Sequence, residues 1–226
     1  ALPINDMPMV HDFAVTANHL VFLLPPLVYD PQRRSAGASV LDAHVWRPSL
    51  GTRALVIPKQ DWQRPQWLSL PAGFAFHIGN AWEEETTSGT VIHLDHARAA
   101  DAAGLLVATR EVMRGRLAGT AVPHLTVARL HLGSGQATQD DLGIEAEFPR
   151  IDHRRVGQRH PWVVHTTSAH GGLPLWSAIA RTHLATGRFQ RFSYGSEAVA
   201  EKHQWVPDGS GPGWVQGTAF DPARPH

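Results

Sequence analysis

Three stretches of this 226-residue chain set chemically capable side chains among apolar, strand-forming neighbours. The first is Met9-Val10-His11-Asp12-Phe13-Ala14-Val15-Thr16, where alternation assigns His11, Phe13 and Val15 to one strand face and Asp12, Ala14 and Thr16 to the other. An imidazole sharing a face with Phe and Val is expected to be at least partly buried. The second is Phe74-Ala75-Phe76-His77-Ile78-Gly79-Asn80-Ala81-Trp82-Glu83-Glu84. It puts a His in an apolar strand just before a Gly-Asn break and an acidic loop, where scaffolds commonly present ligands. The third is Glu145-Ala146-Glu147-Phe148-Pro149-Arg150-Ile151, in which alternation sets Glu147 on the face of Glu145 and turns Phe148 the other way.

Histidine serves as a metal ligand or as an acid or base, and a carboxylate behind a ligating imidazole fixes its tautomer and raises its basicity. Each residue also has a plain structural reading. His11 and His77 can be core or strand-end imidazoles satisfied by local partners, and the carboxylates can be solvated or paired with Arg150, Arg154 or Arg155. The chain has no Cys, which removes disulfides, thiolate metal sites and thiol nucleophiles together. Any metal is therefore held by nitrogen or oxygen.

Composition narrows the setting. Hydrophobic residues make up 42% and charged residues 18%, an ordinary globular balance that argues against disorder. Lys plus Arg equals Asp plus Glu at 20 each, so no net field recruits nucleic acid or anionic lipid. The longest apolar run, Leu20–Leu24, stops at Pro25-Pro26, far short of the roughly 18 residues of a membrane helix. Ala1–Val10 lacks the basic start and long apolar core of a signal peptide, so a cytoplasmic location is expected. The 15 histidines, the two lysines (Lys59 and Lys202) and the wealth of Arg and Ala fit a high-GC bacterial gene.

The elements that must position these residues are short β-type runs between turns. His11–Thr16 and Leu20–Leu24 read as a hairpin with Asn18 in its turn. A turn at Asp30–Arg33 precedes a run at Ala38–Asp42. Further pairs are Phe74–Ile78 with Thr90–Leu94, Ile179–Leu184 with Arg188–Tyr194, and His203–Val206 with Trp214–Phe220 across Pro207–Gly213. One segment breaks the texture. Ala97–Leu117 carries Leu105, Leu106, Val112, Met113 and Leu117 at near-helical spacing and is expected to be a helical excursion. Many short antiparallel pairs in a single domain indicate an all-β sandwich, barrel or propeller, and periodicity does not choose among them.

In this order the motifs resemble the carotenoid cleavage oxygenase family, which includes lignostilbene and apocarotenoid dioxygenases and the retinal pigment epithelium isomerohydrolase. The pieces are His11-Asp12-Phe13 with Thr16, Phe76-His77-Ile78-Gly79-Asn80-Ala81-Trp82-Glu83, and Glu147-Phe148-Pro149-Arg150-Ile151. Weaker echoes are Ser193-Tyr194-Gly195, Glu201 before His203–Pro207, and Gly213-Trp214. The resemblance implies a seven-bladed β-propeller, here partial over 1–226, with the helical segment near 97–118 in a dome over Fe(II). It implies His11 and His77 as the second and third of four His ligands and Glu147 as a carboxylate supporting one of them. The implied reaction is cleavage by O2 of a conjugated double bond in an apolar carotenoid- or stilbene-like substrate.

Two departures stand beside it. The first ligand is expected upstream of Ala1 and the fourth in a His-Gly motif downstream of His226, which the terminal Pro225-His226 does not match. The acidic pair expected before the late Gly-Trp strand is replaced by Gly209-Ser210-Gly211-Pro212-Gly213. Two other readings stay open: a truncated, inactive propeller or binding module, and a propeller hydrolase or lyase using His as acid or base.

Overall fold

The computed structural model describes residues 4, 6–116, 121–168, 175–209, 211 and 213–221. Its strands are β1 (Phe13–Val15), β2 (His19–Leu24), β3 (Leu27–Tyr29), β4 (His44–Trp46), β5 (Thr52–Pro58), β6 (Gln66–Leu70), β7 (Ile78–Thr86), β8 (Gly89–Arg98), β9 (His124–His131), β10 (Gln136–Glu145), β11 (Glu147–Arg150), β12 (Trp162–Thr167), β13 (Ala178–His183), β14 (Phe189–Ser193), β15 (Val199–Ala200), β16 (Gln204–Val206), β17 (Trp214–Gln216) and β18 (Ala219–Phe220). Two α-helices, α1 (Pro31–Ser35) and α2 (Ala102–Met113), interrupt them.

These strands form three four-stranded antiparallel sheets, ordered β1-β2-β5-β6, β7-β8-β9-β10 and β11-β12-β13-β14, here called blades 1, 2 and 3. The two-stranded pairs β15-β18 and β16-β17 follow in sequence. The opening strands of the blades meet: β7 contacts β1 on one side and β11 on the other. They are therefore the inner strands, and the blades fan outward from them as in a propeller.

Apolar side chains fill the gaps between blades. Ala14, Val21, Ala54 and Val56 of blade 1 pack against Ile78, Ala81, Ile92 and Ala128 of blade 2. Leu125, Ala146, Ile151 and Val163 join blades 2 and 3. β2 and β5 are apolar on both faces, and their second face carries its own cluster of Leu24, Leu55 and Ile57 with Leu20 and Phe22. That is the signature of a sheet made to be covered on two sides.

The expected hairpin of the first stretch is present, with Phe13 opposite Phe22. Its burial is reversed. Ala14 and Thr16 point into the core, whereas His11 is exposed and Phe13 is 50% exposed, because the blade 2 interface lies on the Ala14 side. Ala38–Asp42 forms no strand; Asp30 instead caps α1 by accepting from the Gln32 and Arg33 amides, and the strand resumes at His44.

The pairing in the second stretch also differs. Thr90–Leu94 pairs with Ala81–Glu85, so the expected acidic loop is strand. Its charges have partners that make this possible: Glu84 bonds His93 and Glu85 bonds Thr90. Phe74 makes only an isolated bridge to Ala99. The Ile179–Leu184 pair is found as β13-β14, and His203–Val206 pairs with Trp214–Gln216, while Ala219–Phe220 pairs with β15.

The helical excursion is present but shorter. Ala97 and Arg98 finish β8, and α2 starts after Asp101, whose carboxylate accepts from the Ala103 and Gly104 amides. Leu117, Ser210, Pro212, Pro225 and His226 lie outside the described residues.

Candidate metal centre

His11 lies two residues before β1, His77 immediately before β7, and Glu147 opens β11. All three therefore stand at the same end of three adjacent inner strands, and residues far apart in the chain converge. The rings of His11 and His77 are T-shaped, with centroids 5.0 Å apart and planes at 74°.

Each ring is held through Nδ1. Nδ1–H of His77 donates to Oε2 of Glu147 at 2.7 Å, across the boundary between blades 2 and 3. Nδ1–H of His11 donates to the Phe76 carbonyl at 2.7 Å, across the boundary between blades 1 and 2. Both acceptors fix the neutral tautomer in which Nε2 carries the lone pair, the atom an imidazole offers to a metal. The His77 backbone is also pinned, since its carbonyl accepts from the Ala97 amide at 3.1 Å.

The backbone is bent to make these contacts. Phe148 is the one non-glycine at positive φ among the described residues, at +51°, and the β11–β12 register shifts between Glu147 and Arg150. Strict alternation fails here: the Phe148 ring packs 4.7 Å from the His77 ring, which Glu147 also reaches. Nor do Glu145 and Glu147 belong to one alternating strand. Glu145 ends β10 in blade 2 and Glu147 begins blade 3. A β-bulge between Ile78 and Asn80 similarly re-aims the start of β7, and a side chain at Gly79 would have to displace the buried Asp95 carboxylate.

The surroundings are apolar on one side. Phe76 stands edge-on 5.3 Å from the His11 ring and 4.5 Å from Phe74. Phe74, Leu27, Ala102 and Leu106 form a cluster to which Phe76 and Leu105 add, so α2 sits on the aromatic layer beside the two imidazoles. Other histidines serve the structure. His165 and His203 are buried with both ring nitrogens engaged, and His160 pairs with Asp95 at 2.9 Å.

Glu83 carries a role that no sequence pattern marks. It joins blade 2 to the turn of the first hairpin, accepting from Thr16 Oγ1, the Asn18 amide (2.8 Å), Asn18 Nδ2 (2.7 Å) and His19 Nδ1 (2.9 Å). Burial raises its pKa, but these hydrogen bonds outweigh that and hold it at about 2. Thr16 and Glu83 lie in the first two motif stretches and Asn18 in the turn of the first hairpin; only their pairing was hidden.

With a metal–nitrogen bond of about 2.1 Å, a ligating imidazole has its centroid about 3.2 Å from the metal, so two ligands at about 90–100° stand about 4.6–5.0 Å apart. The observed separation of 5.0 Å falls in that range. Among the described residues no group of three His, Asp or Glu side chains is placed to hold a metal.

A family model described as retinal pigment epithelial membrane protein matches residues 1–224. The chain belongs to the carotenoid cleavage oxygenase family. Among relatives, it is 28% identical over 170 residues to carotenoid 9,10(9',10')-cleavage dioxygenase 1 of Phaseolus vulgaris, covering 74% of this chain and 30% of that protein. It is 29% identical to carotenoid cleavage oxygenase 1 of Neurospora crassa, covering 89% of this chain and 41% of that one. A shorter match, 34% identical over 87 residues (38% of this chain, 17% of the relative), is to isoeugenol monooxygenase of Pseudomonas nitroreducens.

The fold agrees with solved family structures. The Glu150Asp mutant of Synechocystis apocarotenoid oxygenase superposes with a TM-score of 0.82 at 18% identity, over 96% of this chain and 46% of that one. The cobalt-substituted form of that oxygenase gives 0.81 at 18% identity, over 94% and 45%. This carotenoid cleavage oxygenase chain thus has the β-propeller-type fold of its family and spans less than half the length of these relatives.

Proposed function

We propose that the parent protein is a non-haem iron(II) oxygenase that cleaves a conjugated C=C bond of an apolar carotenoid-, apocarotenoid- or stilbene-like substrate to carbonyl products. The observation that carries this reading is the meeting of His11 and His77, 66 positions apart (77 − 11), with their rings 5.0 Å apart and both Nδ1 atoms already engaged. The names of the relatives support oxidative cleavage of olefinic substrates, and the cobalt-substituted relative supports a metal.

His11 and His77 would hold the iron through Nε2. Ferrous iron, when bound, supplies the redox chemistry through which O2 reacts with a closed-shell double bond, and neutral nitrogen ligands suit it. Glu147 keeps the proton of His77 on Nδ1 and its ring in place. Phe76 and Phe148 give the centre apolar walls that would flank an extended hydrocarbon, and α2 backs the Phe76 side. No general base or nucleophile is required of these residues.

The remaining ligands and blades belong, in this reading, to the rest of the parent. On the second face of blade 1 Leu24, Leu55 and Ile57 are already buried, and half-exposed Phe13 is where a neighbouring blade would pack. Iron quantification and O2 uptake on the full-length parent test the proposal. It stands if purified parent binds iron and consumes O2 with a conjugated olefin, and if His77→Ala loses both; iron-free protein after reconstitution, or a His77→Ala variant that keeps its iron, ends it.

A further inference from the structure

One carboxylate holds the first amide of two inner strands that belong to different blades. Oδ1 of Asp12 accepts from the amide of Phe13, the first residue of β1, at 2.8 Å. Oδ2 of the same side chain accepts from the amide of Ile78, the first residue of β7, at 3.0 Å. β1 and β7 touch but share no ladder, so this side chain ties their starting points together. His77 comes immediately before one of those points and His11 two residues before the other. The tie is reinforced from the other side of His77, where the Phe76 carbonyl accepts from His11. Two hydrogen bonds from the dipeptide His11-Asp12 thus bracket His77.

We propose that Asp12 is a positioning residue for the metal centre: its two oxygens lock the starts of β1 and β7 to each other and so set the separation and tilt of the two ligating rings. The inference rests on the reading of His11 and His77 as ligands. Its physical basis is the geometry of the acceptor. A carboxylate offers an oxygen to each amide, whereas the carboxamide of Asn has a single oxygen and turns an NH2 toward the other N–H. Asp12→Asn therefore releases one strand while keeping the side-chain size and the ligands themselves; the negative charge it removes is also removed in the Glu83→Gln control. Groups that orient metal ligands without touching the metal typically change affinity by about 10–100-fold when lost.

The experiment uses full-length parent stripped of metal and titrated with Co(II), whose visible absorption reports ligand geometry. Asp12→Asn is expected to bind Co(II) at least about 10-fold more weakly and to shift its absorption bands. Glu83→Gln is the control, because Glu83 also joins blade 1 to blade 2 but contacts Thr16, Asn18 and His19 rather than His11 or His77. It should lower thermal stability and leave the Co(II) affinity and spectrum as in wild type. Wild-type affinity and spectrum in Asp12→Asn overturn the inference, as does an equal Co(II) defect in Glu83→Gln.

His77→Ala separates the two levels of argument. If it abolishes Co(II) binding while Asp12→Asn does not, Asp12 alone loses its role; if it leaves Co(II) binding intact, the ligand reading fails and the inference with it. Should Asp12→Asn not fold, hydrogen exchange on metal-free wild type decides. Slow exchange of the Ile78 amide upholds the tie, and exchange at the rate of an exposed loop amide overturns it.

Discussion

Nδ1 of His77 and Oε2 of Glu147 meet at 2.7 Å although they come from different blades and lie 70 positions apart. The side chains of both are largely buried, 12% and 8% exposed, so the bond is shielded from competition by water. Glu147→Gln keeps a carbonyl acceptor for Nδ1–H, while Glu147→Ala leaves the ring without its partner. Metal affinity of the full-length parent should fall about 10–100-fold in Glu147→Ala and less in Glu147→Gln. Iron or Co(II) titration checks this order; equal affinities in all three proteins would remove Glu147 from the centre.

Phe148 gives a backbone prediction of unusual sign. At φ +51° a side chain is strained, and glycine is not. Phe148→Ala loses the ring packed on His77 and keeps the strain; Phe148→Gly loses the ring and relieves the strain. The Gly variant should therefore be the more stable of the two by about 1 kcal/mol, against the usual order in a strand. Chemical denaturation of the two variants measures it, and a more stable Ala variant refutes the strain argument.

Glu83 should make stability depend on pH in acid. Its folded pKa, about 2, lies below the ordinary value of 4.5. The sign follows from linkage: the carboxylate stabilises the fold fully above pH 4.5, and that contribution is lost as pH falls toward 2. A Glu83→Gln parent should be less stable than wild type at neutral pH, with the gap closing across that window. Denaturation midpoints from pH 7 to pH 2 test this, and a gap constant with pH would be incompatible with it.

His165 acts in a higher window. Burial pushes its pKa down to about 4 against a hydrogen bond to the Thr166 carbonyl that raises it, so the ring is neutral in the fold. The unfolded chain takes up a proton below pH 6.5 that the folded chain refuses, so stability falls as pH drops from 6.5 to about 4. The slope from this one group is at most about 1.4 kcal/mol per pH unit. His165→Gln cannot titrate and should flatten the profile there; an unchanged slope would place the titration elsewhere.

The residues that matter were visible in the sequence, but their relations were not. Alternating apolar runs located the first hairpin, the β13-β14 pair and the helical excursion, because local patterning and turn residues govern such elements directly. The same logic misplaced the acidic stretch after His77. Charge alone reads as loop, whereas Glu84 and Glu85 sit in a strand through partners on the adjoining strand. It also reversed the burial of His11 and Phe13, since the buried side of β1 depends on where blade 2 lies.

By itself the sequence determined that a Cys-free, charge-balanced, strand-rich chain offers imidazoles and carboxylates in an order matching one family. Composition and ordered motifs are properties of the chain read in one dimension. Tertiary structure alone decided that His11 and His77 stand 5.0 Å apart, that Glu147 backs the second of them, and that Asp12 spans two strands. Those are contacts across 65 to 70 positions, formed only when the inner strands of separate blades pack together. No local propensity encodes them; the packing of apolar blade faces does.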